Sequence, residues 1–104
     1  DEQLMQRARR QGEHFRATLR RELGDHPLIG TVRGRGLLNA VVINASEDSH
    51  VAWDLCLAMA REGVLAKPTH GNIIRFAPPL VLTDDQLEDA LARIVRSVKN
   101  FTAA

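Results

Sequence analysis

Arg75 is the side chain best placed to do chemistry. It stands in the run Ile73-Ile74-Arg75-Phe76-Ala77, between two bulky apolar residues. Successive side chains of a strand alternate, so Ile73, Arg75 and Ala77 share one face and Ile74 and Phe76 share the other. An arginine placed in this way needs water or an anion, and its planar fork matches a carboxylate at two points. Shortly upstream come Lys67, Thr69 and His70: an amine, a hydroxyl and an imidazole. Lys67 invites a reading as an imine-forming amine. Thr69 could donate its hydroxyl. His70 could serve as a general base, because histidine titrates near neutrality, although its Thr69-His70-Gly71-Asn72 setting equally suits an exposed or structural turn residue.

Other chemistries find less support. The four histidines, His14, His26, His50 and His70, are too scattered to suggest a metal site. Cys56 is the one cysteine, so an internal disulfide is excluded and a small buried hydrophobe is expected there. Arg33-Gly34-Arg35-Gly36 lacks the Gly-Lys-Ser/Thr ending of a phosphate loop. Aromatic residues are 4% of the chain, too few to interleave as a base-stacking platform. That run reads as a strand bend or a tight turn.

The elements that must position Arg75 follow from periodicity. Leu4, Ala8, Gly12, Phe15, Leu19 and Leu23 form a helical stripe over residues 2 to 23, opposite a face crowded with Arg7, Arg9, Arg10, Glu13, Arg16, Arg20, Arg21 and Glu22. Gly24 and Pro27 stop that helix. Gly12, costly in mid-helix, suggests close contact with another element. Ile29–Arg33 and Leu37–Ile43 read as strands. Residues 50 to 62 read as a second helix ended by Gly63. Val64–Lys67 and Ile73–Ala77 read as a hairpin, with Pro68 and Pro78-Pro79 as stops. Thr83 and Gln86 form a capping box for a last helix over residues 84 to 100. The expected fold is therefore α+β: a small, mostly antiparallel sheet with helices packed on it.

The chain has 104 residues, enough for a single domain spanning 1-104 with a modest core. A net charge of +1 makes no electrostatic case for nucleic acid or a membrane surface. No apolar run approaches the length of a bilayer span. The start, Asp1-Glu2-Gln3, shows no signal peptide and reads as a processed or excised chain. A single cysteine fits a reducing, cytoplasmic setting.

The segment Leu65-Ala66-Lys67-Pro68-Thr69-His70-Gly71-Asn72-Ile73-Ile74-Arg75-Phe76-Ala77-Pro78-Pro79-Leu80 closely resembles the corresponding stretch of ornithine aminotransferases, members of class III of the pyridoxal-phosphate transaminases. Val32-Arg33-Gly34-Arg35-Gly36-Leu37-Leu38-Asn39-Ala40 resembles the family's strand motif, and Leu82-Thr83-Asp84-Asp85-Gln86-Leu87 its closing helix. The resemblance implies the C-terminal small domain of a fold-type I enzyme, without the large domain that holds the cofactor lysine. It implies that Arg75 binds a substrate carboxylate: a glutamate of the large domain holds the arginine while ornithine reacts, and releases it for 2-oxoglutarate. Lys67 is then not the Schiff-base lysine. Lys67, Thr69 and His70 would shape the wall of the site, and no residue of the chain would be catalytic or bind a metal. Pyridoxal phosphate would belong to the full-length homodimer, leaving the isolated chain without cofactor or activity. An acetylornithine or 4-aminobutyrate enzyme of the same class, or a free-standing binding module, are the alternatives.

Overall fold

The computed structural model describes residues 2–36, 38–69, 71–76 and 83–101. Helix α1 spans Glu2–Leu23, strand β1 Ile29–Arg35, β2 Leu38–Ile43, helix α2 Val51–Arg61, β3 Lys67–Thr69, β4 Ile73–Phe76 and helix α3 Asp84–Asn100. The strands form one sheet in the order β1-β2-β4-β3, and every neighbouring pair is antiparallel. The architecture is α+β, as expected.

Each element ends where its residues dictate. The Gly24 amide donates to the Arg20 carbonyl at 2.9 Å, closing the last turn of α1. At the start of α3 the Gln86 amide donates to Thr83 Oγ1 at 3.1 Å, and the Thr83 amide donates to Gln86 Oε1 at 2.9 Å. This is the reciprocal cap that the sequence predicts. Gly63, at φ 87°, lets the chain leave α2 in a conformation open to glycine. Between β1 and β2 the chain makes a tight turn through Gly36, at φ 58°, so the Gly-Arg-Gly run joins two strands rather than bending one.

The core lies between one face of the sheet and the helices. Leu19, Ile43, Leu55, Met59, Ile74, Leu91 and Val98 are its largest fully enclosed side chains. Phe15 of α1 meets Phe76 of β4 with ring centroids 5.5 Å apart, a tilted aromatic contact. Helix α3 packs on α1 and α2 and brings Leu87, Leu91, Ile94 and Val98 into the same core.

Three expectations need correction. The hairpin's first strand is Lys67–Thr69, not Val64–Lys67, and Pro68 lies within it. β3 is an edge strand, so a missing amide on its unpaired side removes no ladder bond. The apolar stripe of α1 begins to bury at Gln11, and Leu4 is 47% exposed. Arg16, expected on the solvent face of α1, is buried. Gly12 explains this: a Cβ there would meet the Gly36 carbonyl oxygen at 1.7 Å, so α1 lies against the β1–β2 turn. One helical turn further on, Arg16 sits above that turn. It donates to Asn39 Oδ1 at 2.7 Å and to the Gly36 carbonyl at 3.0 Å.

Candidate carboxylate-binding site

β4 lies between β2 and β3, and its alternation is anchored from one side. Ile74 and Phe76 are buried among the helices, which forces Arg75 onto the opposite face, where among the described residues it is exposed. The pairing register then decides its neighbours. Lys67 of β3 is its direct partner on one side and Ala40 of β2 on the other, and Ala40 in turn pairs with Arg33 of β1. A single row across four strands thus reads Arg33, Ala40, Arg75, Lys67. With strands about 4.8 Å apart, Arg33 and Arg75 stand roughly 10 Å from each other at the backbone. The next row is Thr31, Val42, Ile73 and Thr69, and on the other side Arg35 pairs with Leu38.

The face is cationic. Arg33, Arg35, Lys67 and Arg75 are all exposed on it, and the described strands carry no carboxylate at all. Among the described residues none of the four makes an ion pair. Such a surface can hold carboxylates, with the guanidinium of Arg75 offering the two-point fork.

Of the residues expected at the site, Lys67 flanks Arg75 directly. Thr69 lies in the neighbouring row, its hydroxyl 3.5 Å from the Ile73 carbonyl of its own hairpin. His70, Ala77 and the Pro78-Pro79 pair lie outside the described residues. Gly71, at φ 77°, fits the hairpin tip beneath the β2–α2 loop, where a Cβ would strike the Glu47 carbonyl oxygen at 1.9 Å. The Ile43 amide donates to the Asn72 carbonyl at 2.7 Å and ties the tip to β2.

Sequence reasoning missed Arg33 as a neighbour of Arg75. No local signal could show it, because the pairing passes through β2 and β4, which are separated in the chain by α2. It also missed the polar latch beneath the face. Asn39, on the buried side of β2, is opposite Phe76, so the bond from Arg16 braces the strand that flanks Arg75.

The remaining titratable groups do other work. Burial pushes the Cys56 thiol up to about 11, which leaves it unreactive. A side-chain hydrogen bond from Arg96 holds the Glu62 carboxyl below its ordinary range, and Arg93 donates to the Glu62 carbonyl at 2.6 Å. Together they fasten the end of α2 to α3. His14 of α1 bonds Glu88 of α3. Among the described residues no cluster could hold a metal ion, and no helix is long and apolar enough to cross a membrane.

Known proteins share the sequence and the fold of this chain. An ornithine aminotransferase of Emericella nidulans is 50% identical over 99 residues, which are 94% of this chain and 21% of that protein. The crystal structure of an acetylornithine aminotransferase from Elizabethkingia anophelis superposes with a TM-score of 0.92 at 50% identity, covering 97% of this chain and 26% of that one. An ornithine aminotransferase structure from Toxoplasma gondii, described as having partial occupancy of PLP at its active site, gives 0.84 at 45% identity over 94% of this chain and 23% of that one. The chain therefore spans about a fifth to a quarter of the length of these relatives. Residues 1–98 match the model for class III aminotransferases, and the chain belongs to that family.

Proposed function

We propose that these residues are the C-terminal small domain of a pyridoxal-phosphate-dependent ornithine aminotransferase, and that Arg75 binds the carboxylate of the substrate. The parent enzyme would move the terminal amino group of ornithine to 2-oxoglutarate. The observation that carries the reading is the setting of Arg75: held outward by Ile74 and Phe76, exposed, and without an ion pair among the described residues. Its fork would take either the carboxylate of an oxo acid or a glutamate from the rest of the enzyme, and exchange between the two would let a single arginine serve both half-reactions. Lys67 and Thr69 would form the wall beside it, together with His70.

The residues present do not fit the cofactor itself. The chain has two lysines. Lys67 is exposed on an edge strand, and Lys99 is exposed on α3, 3.7 Å from Glu22. Neither stands in an enclosed pocket of the kind that would hold the cofactor against its amine. The cofactor would be held by parts of the enzyme outside these residues, in a homodimer, and the isolated chain would neither bind it nor transaminate. Titrating the isolated chain with pyridoxal phosphate tests this, and a Schiff-base absorption band would count against it. The one unpaired thiol suits a cytoplasmic protein, which imaging of the tagged full-length protein would check.

The Elizabethkingia structure favours a second reading, the small domain of an acetylornithine enzyme. Substrate profiling of the full-length protein separates the two. In that protein Arg75→Met should raise KM for 2-oxoglutarate roughly 100-fold, the scale of a lost charge-assisted carboxylate contact. An unchanged KM would remove the assignment.

A further inference from the structure

The proposed site uses the β3–β4 half of the open face and leaves the β1–β2 half unexplained. There Arg33 and Arg35 stand two residues apart on the exposed side of an edge strand, and Arg35 pairs with Leu38, which is 69% exposed. What sets this corner apart is the combination: one exposed apolar side chain directly beside two arginines that make no ion pair among the described residues. The hairpin that presents them is also held stiffly. Gly12 packs on its turn, Arg16 bonds Gly36 and Asn39, and Arg20 donates to the Val32 carbonyl at 2.7 Å. Two α1 arginines thus serve to fix the backbone from which two β1 arginines project.

Charge is segregated as well. The chain carries +1 in total, and the open face holds four cations against no strand carboxylate, so the remaining residues sum to −3. A face of this kind fits a protein surface that offers carboxylates around an apolar spot. It does not fit a second copy of itself, because an isologous contact would set cation on cation. It offers single-stranded nucleic acid no aromatic side chain on which a base could stack, and the exposed Leu38 has no counterpart on a phosphate backbone. The relatives carry about three quarters of their length beyond the matched segment, ample polypeptide to supply the partner.

We propose that Arg33, Arg35 and Leu38 form a docking patch for an acidic protein surface, supplied by the part of the enzyme outside these residues. Leu38 is the apolar anchor, and the two guanidinium groups pair with carboxylates around it. This rests on the reading of the chain as one segment of a longer aminotransferase. The patch fixes the orientation of the sheet, and so the direction in which Arg75 projects, without touching substrate.

The test uses the full-length protein. The double reversal R33E/R35E should lower the unfolding midpoint by about 5 °C or more at low salt, or split unfolding into two steps. In 1 M salt, where the Debye length is about 3 Å, its gap from wild type should narrow. The charge-keeping R33K/R35K should stay within about 2 °C of wild type. If the double reversal does not fold, Arg35→Gln should show a smaller shift with the same salt dependence. A midpoint and cooperativity unchanged at both salts would overturn the proposal. So would loss of duplex DNA binding in the reversal, or a dimer that dissociates while each subunit unfolds as before. If the salt-dependent shift appears but the protein transaminates neither ornithine nor acetylornithine, the functional reading fails and the patch stands. If transamination is normal and the shift is absent, the patch alone fails.

Discussion

The two faces of the sheet are built from the same strands and obey opposite rules. On the helix side, Val32, Val41, Ile43, Ile74 and Phe76 are buried, and their value lies in the area they remove from water. On the open side, Lys67 and Arg75 are exposed and add little to the fold, and Arg33 and Arg35 would add to stability only through the surface they dock on. β4 shows the contrast within four residues. Ile74 and Phe76 hold the strand so that Arg75 can be aimed. Stability and recognition are thus carried by neighbouring residues with almost no overlap, and substitutions should separate them.

The sharpest test of that separation is Ile74→Ala. Ile74 is fully enclosed, so the change should cost about 2–5 kcal/mol in urea unfolding, the range for a large buried aliphatic cut to Ala. Arg75→Met, by contrast, should leave unfolding within about 0.5 kcal/mol of wild type. A large stability loss there would erase the distinction between the faces. Gly12→Ala probes the support beneath the open face. Its methyl must displace the backbone at Gly36, and a loss of about 1–3 kcal/mol is expected. Thr83→Ala removes the cap of α3 and should cost about 1 kcal/mol while leaving both faces intact.

The smallest effect is a pH dependence. Glu62 titrates below its ordinary value when folded, because Arg96 bonds its ionised form. Its contribution is therefore present above the unfolded carboxylate pKa and is lost as pH falls through the lower folded value. Glu62→Gln should be slightly less stable than wild type near neutrality, and the two should converge in acid. A gap that persisted in acid would point to packing rather than charge.

Much of this was legible along the chain. The 3.6-residue stripes located three helices, Thr83 and Gln86 marked a cap, and alternation assigned Arg75 to the face opposite Ile74. Those signals are local, because they depend on backbone geometry over a few residues. β3 was misplaced because proline reads as a breaker until its strand is known to lie at an edge. Arg16 was misjudged because charge predicts exposure, whereas its burial depends on how closely Gly12 lets α1 approach a turn more than twenty residues away in sequence.

By itself, the sequence determined the set of elements, their caps, and the outward aim of a single arginine on β4. Tertiary structure alone decided the order β1-β2-β4-β3, and with it the row in which Arg33 joins Arg75 and Lys67. The physical reason is that strand pairing is non-local. Side-chain alternation says which face a residue takes, but only the hydrogen-bonded register says what stands beside it.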